Sequence, residues 1–299
     1  MVRTLPLLIA LAALAGPATA QAPPPRTVEP LVVSPQTPLT PKEADALART
    51  FVRALSEPGR IGQLSRWQTR PCAKAIGLPE AFDAFVAARI ETLAGQVGAP
   101  VATPCKGNNI LVVFTTEPQK LLDFIAHRRT QLLGFHYAAQ TKRLATFKGP
   151  VQAWYVTATV SANGDSYVDD PFEQTPGGSA GSHFTAELSS AFEAVLVVVD
   201  SGKIAGHPVG RIADDVAMAA LARSPAQAGC RDLPTILDAL NAQCQRSADL
   251  QAVSESDRAY LKGLYAANPR TFLQTQETSV AGAVSRDLQG RSAAPAPNR

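Results

Sequence analysis

Histidine is scarce in this chain: the 299 residues hold four, His127, His136, His183 and His207, and no two stand four apart. A zinc site on a helix needs two imidazoles one turn apart so that both nitrogens reach one ion. That arrangement is excluded. Cysteine is equally sparse, with four residues and no C-x-x-C pair, which argues against structural-zinc and thioredoxin-like roles. Charged residues make up 18%, the formal net charge is +3, and no basic run is interleaved with aromatics. Nucleic acid is therefore not an expected partner. No internal repeat is found, and no cofactor motif is read.

What is present begins with an export signal. Arg3 is followed by the apolar run "LPLLIALAALAG" and the small residues Ala18 to Ala20, the pattern of a cleaved signal peptide over residues 1–20. The run is shorter than the ~20 residues that a transmembrane helix needs, so no transmembrane anchor is expected in the mature chain. The expected location is periplasmic or extracellular, an oxidising compartment in which cysteines pair. Three pairings of Cys72, Cys105, Cys230 and Cys244 are possible; proximity in sequence favours Cys72–Cys105 and Cys230–Cys244. Residues 21–40 hold six prolines and read as an extended linker or arm.

From residue 41 to about 285 the pattern is that of one α+β domain, a mixed sheet packed with helices and stabilised by disulfides. Thr40, Pro41 and Glu43 form a helix-start signature. "RWQTRPCAKAIGL" reads as a strand and "PEAFDAFVAARIETLAGQVG" as an amphipathic helix. "NNILVVFTT" is a buried strand, "EPQKLLDFIAHRRTQLLG" another amphipathic helix, and "VQAWYVTATVS" a half-buried strand. A long polar loop follows, then the most hydrophobic strand, "AFEAVLVVVD", and the helix "HPVGRIADDVAMAALAR". A cysteine-bracketed segment and the helix "SESDRAYLKGLYAAN" come next, and residues 286–299 read as a disordered tail.

Three groups of residues invite chemistry. His183 and His207 flank the hydrophobic strand with Asp200 at its end, a trio that would suit a metal or a hydrolase site. "GGSAG" (Gly177 to Gly181) has the form of a nucleophile elbow, but a polar loop precedes it where that motif needs a strand. Asp165, Asp169, Asp170 and Glu173 crowd one loop without the ligand order of a calcium-binding EF-hand. In the helix after the hydrophobic strand, Arg211 and Asp215 stand at i, i+4, the spacing of an ion pair.

The order of elements resembles that of the metzincin-type zinc peptidases and of secreted bacterial families similar to them. The carriers are "NNILVVF", "AFEAVLVVVD", the helix "GRIADDVAMAALA", the turn "PTIL" (Pro234 to Leu237) and the closing helix "VSESDRAYLKGLY". In the last of these, Ser254, Asp257, Leu261, Leu264 and Tyr265 fit the family's L-[ST]-x-x-D-x-x-x-L-x-x-L-Y pattern. The resemblance implies a zincin-like fold with its cleft beside that helix. Against H-E-x-x-H-x-x-G-x-x-H, however, the key positions hold Ala213, Asp214, Ala217, Ala220 and Arg223. Without a Lewis acid, Asp214 has little to act with, and no catalytic residue carries over. The expected function is a secreted, non-catalytic zincin-like domain. It would bind a peptide, protein or envelope component through a cleft near Ala213, Asp214 and Ala217, for example by strand addition. The alternative is a hydrolase built around His183, Asp200 and His207.

Overall fold

A computed structural model describes residues 39–134, 136–169, 187–225 and 229–293. The expected signal peptide and nearly all of the proline-rich segment lie outside the described residues. Five strands form one mixed sheet: β1 (Ala73–Ile76), β2 (Ile110–Thr115), β3 (Val151–Val160), β4 (Ser166–Val168) and β5 (Ser189–Asp200), in spatial order β1-β2-β5-β3-β4. β1, β2 and β5 run parallel, while β3 is antiparallel to β5 and to β4. The fold is α+β.

Period-two patterning sends side chains to two cores. Ile110, Val112 and Phe114 of β2 and Val195, Val197 and Val199 of β5 join the larger core with α1 (Pro41–Leu55), α2 (Glu80–Val97), α5 (Val209–Leu221), α6 (Glu255–Ala266) and α7 (Leu273–Ala293). The opposite residues, Leu111, Val113, Leu196 and Val198, meet a smaller core with Trp154 and with α3 (Pro118–Arg128), the 3₁₀ turn Thr130–Leu133 and Leu144 at the end of α4 (Ala138–Leu144). Both faces of β2 and β5 are thus covered, which accounts for their near-continuous hydrophobic sequences.

Several local expectations hold. Thr40 and Glu43 form a reciprocal capping box at α1, and Ser254 and Asp257 form one at α6. Cys72 pairs with Cys105 and Cys230 with Cys244, at Cα separations of 5.8 and 5.3 Å. The first bridge ties the start of β1 to the loop before β2; the second closes the loop that contains the 3₁₀ turn Ile236–Asp238, at the expected turn "PTIL".

Others need correction. The strand expected over "RWQTRPCAKAIGL" is confined to Ala73–Ile76, with one isolated bridge from Arg66 to Ala191, because Pro71 between them has no N–H to donate. The tail expected to be disordered from residue 286 is helical through Ala293. Val280, Val284 and Leu288 repeat every four residues and are buried, and α7 packs along α1 and α6. Its polar remainder, including the buried Gln276 and Ser285, hides this stripe from a reading of periodicity. Gln276 accepts from the Leu64 N–H at 2.8 Å and donates to the carbonyls of Pro269 and Thr271. α4 was not anticipated either: seven mostly polar residues, about two turns, carry little pattern.

The seam between α6 and α7 is tight at Gly263, where a Cβ would lie 3.0 Å from both Ala283 Cβ and Val280 Cα. Gly263→Leu should therefore cost at least ~1–3 kcal/mol of stability through overpacking. Gly290→Ala, with no neighbour within 4 Å of the added methyl, should be neutral or slightly stabilising. Urea unfolding of the two variants checks the pair.

Candidate functional site

Helix α5 stands where the resemblance would place catalysis, and the fold seals it. Every residue from Arg211 to Leu221 is buried, with Ala213, Asp214 and Ala217 at 0% exposure. α5 packs on α2, β3, β5 and the 3₁₀ turn Ile236–Asp238. The expectation that Ala213, Asp214 and Ala217 line an open cleft is corrected: none presents surface. Alanine at 213 and 217 is what lets neighbouring elements close over the helix.

Asp214 is held as a structural carboxylate. Arg89 of α2 grips it in a two-toothed pair, Nε on Oδ1 and Nη2 on Oδ2 at 2.8 Å, and the Val253 N–H donates to Oδ2 at 2.8 Å. The pair also raises the pKa of Arg89, chiefly through its hydrogen bond to Asp214. A planar fork on a carboxylate suits a buried site. Three elements, α2, α5 and the entry to α6, meet on this one side chain. Arg89 was not singled out in the sequence, because its partner lies far away in the chain.

The end of α5 is secured by aromatic donors. The last carbonyls of a helix lack partners within it and, when buried, need donors from elsewhere. Trp67 Nε1–H donates to Ala220 O at 2.9 Å, Tyr265 O–H to Leu221 O at 2.9 Å, and Tyr155 O–H to Ala219 O at 2.7 Å. Arg223, where the resemblance would place a third ligand, bonds Glu57 through Nη2 at 2.6 Å and lies over the Tyr155 ring. Arg66 does for α6 what these groups do for α5, donating to Leu264 O and Ala267 O; burial lowers its pKa to about 10.

The other expected groupings do not assemble among the described residues. Asp200 accepts from the N–H groups of Gly202 and Lys203 in the turn after β5 and pairs with Lys203. His207 lies beside Arg211, with 3.4 Å between Nδ1 and Nη1. His183 and the "GGSAG" stretch lie outside the described residues. Asp169 is buried and accepts from Thr157 Oγ1 at 2.5 Å and Thr159 Oγ1 at 2.9 Å, whereas Asp165 sits in the exposed turn with Ser161. Asp170 and Glu173 are outside the described residues. Among the described residues, no group of three or more His, Cys, Asp or Glu is arranged to hold a metal ion. The expected pair of Arg211 with Asp215 is also corrected: Arg211 Nη2 donates to Ala248 O at 2.5 Å instead.

The surface feature that sequence reading missed is on α2. The amphipathic reading captured its buried side, Val86, Ile90, Leu93, Ala94 and Val97. Its outer side is apolar as well: Ala81, Ala84 and Ala88 are exposed, and Phe82 and Phe85 are 46% and 44% exposed. Apolar residues on both sides of a helix were the available signal, since a helix hydrophobic all round is ordinarily covered on all sides.

Breaking a buried ion pair by removing one partner leaves the other charge without compensation. Asp214→Ala should therefore cost ~3–5 kcal/mol, read as a lower urea midpoint. Saturating zinc should leave the thermal midpoint of the wild-type protein unchanged, since ligand binding to the native state would raise it. No helix among the described residues is long and apolar enough to cross a membrane. No family model, no curated protein and no solved structure matches the chain.

Proposed function

We propose that this chain is an exported, non-catalytic binding protein on a zincin-like frame, and that it binds through the outer face of α2 rather than through a cleft at α5. The frame is supported by element order: parallel strands β1, β2 and β5, a helix after β5, a turn packed against that helix, and the capped helix α6. Export is supported by the N-terminal pattern and by the two disulfides, which suit an oxidising compartment. The non-catalytic reading is supported by the positions that would hold zinc ligands, which carry Ala213, Ala217 and Arg223.

The observation that carries the binding reading is the exposed face Ala81, Phe82, Ala84, Phe85 and Ala88. Its chemistry selects the occupant. The alanines allow a second helix to approach closely, and the two phenylalanines offer large apolar contacts of the kind that dominate binding energies. Arg89, on the flank of the same helix, is neutralised by Asp214. The partner is therefore the apolar side of an amphipathic helix in another protein, recognised with little dependence on salt.

Panning a displayed library of random peptides against the wild-type protein tests this. Selected peptides should be amphipathic helices whose affinity changes little with salt. The double variant Phe82→Ser/Phe85→Ser should weaken them by at least ~10-fold while its thermal midpoint stays at or above that of the wild type. Equal binding to the double variant would refute the proposed face. A wild-type dimer in sedimentation that the double variant dissolves would assign the face to self-association and likewise refute the reading.

A further inference from the structure

A hollow between α6 and α7 carries charge that the α2 reading does not use. The two helices run antiparallel: Gly263 meets Val280 and Ala283, and Arg291 Nη2 donates to Ser256 Oγ at 3.1 Å. Along this seam they leave a space of about 180 Å³, with the small side chains of Ala259 and Ala283 in its lining. One water needs only ~10–15 Å³, whereas pockets for drug-sized ligands run to ~300–1,000 Å³. The hollow suits a small group.

The charged residues of the lining do not all balance. Glu255 and Arg258 pair with each other at 3.9 Å, and Arg258 Nη1 also donates to Gln96 Oε1 at 2.9 Å. Asp287 pairs with Arg291 at 2.6 Å. Lys262 of α6 and Arg286 of α7 are exposed, and among the described residues neither side chain has an ion pair or a hydrogen bond. The acid–base pairs cancel, so the hollow keeps an excess of positive charge from Lys262 on one wall and Arg286 on the other. Walls of like charge focus their field into the space between them, and an anion held there relieves their repulsion.

We propose that the hollow between α6 and α7 binds one phosphate group, held between Lys262 and Arg286. Arginine offers a planar fork of N–H donors that matches two phosphate oxygens, and lysine adds a compact point charge. A phosphate group carries about two negative charges near neutral pH, which balances both cations. A single carboxylate would leave one of them unmatched. Glu255 and Asp287, in the same lining, repel further negative charge, so the site takes an isolated phosphate and not a polyanion such as nucleic acid. The shared chemistry is that of soluble phosphate and of the exposed phosphate of a lipid headgroup. This site is separate from the outer face of α2, and its occupant is held by charge, so salt weakens it.

Calorimetric titration of the intact protein with inorganic phosphate at about pH 8, where the anion is doubly charged, tests the site. One phosphate should bind per chain, and Lys262→Gln/Arg286→Gln should weaken it by at least ~10-fold. Flotation with phosphatidylcholine vesicles that carry phosphatidic acid separates the two sources. Capture on vesicles without binding of inorganic phosphate assigns a lipid headgroup, and the reverse assigns a soluble ligand; in either case the double variant should not bind. Binding of neither probe by the wild type overturns the proposal, as does undiminished binding by the double variant. If chloride occupies the hollow as tightly as phosphate does, the hollow is a patch of charge only, and the proposal falls. Both positions are exposed, so the double variant should keep the wild-type thermal midpoint in phosphate-free buffer. Should it fail to fold, the single variants decide: each must weaken binding, and unchanged affinity in either one rejects the site.

Discussion

The grip of Arg89 on Asp214 is the contact around which the larger core is arranged. It joins a helix that follows β1 to a helix that follows β5, and through Val253 it also fixes where α6 begins. A buried carboxylate is tolerated only when hydrogen bonds and an opposite charge replace its water. Asp214 has both. The alanines on either side of it, Ala213 and Ala217, leave room for α5 to sit flush against its neighbours, so the helix is a packed structural element.

That commitment has consequences at both ends of α5. Its first turn is held by Arg211 on Ala248, and its last carbonyls by Trp67, Tyr155 and Tyr265. Donors to the end of this one helix come from the approach to β1, from β3 and from α6. α5 is thereby bound to most of the fold. The interior also buries Asp215, Asp238, Asp257 and Arg231, with Arg231 paired to Asp238. The apolar surface proposed for binding lies instead on the periphery, at the outer side of α2, where Phe82 and Phe85 remain in solvent.

Local signals in the sequence translated well into structure. The caps at Thr40 and Ser254 worked because a cap involves residues three apart. β2 and β5 were visible as apolar runs because both of their faces are buried. The favoured pairings, Cys72–Cys105 and Cys230–Cys244, join cysteines that are neighbours in the chain. α7 was missed because its buried stripe carries polar Gln276 and Ser285 between aliphatic residues, and their hydrogen bonds to distant segments cannot be seen in a local window.

The candidate site followed the same division. Sequence by itself determined that no helical zinc ligands stand in α5, since histidine spacing is a property of the chain. It also marked Asp214 as the acidic residue of interest. Whether Asp214 faced a cleft or a partner was decided only in three dimensions, because Arg89 lies 125 residues away in sequence. The same holds for α2: composition showed a helix rich in apolar residues, but only packing determined that Phe82 and Phe85 remain outside. Periodicity records which residues avoid water, and tertiary contacts decide which of them succeed.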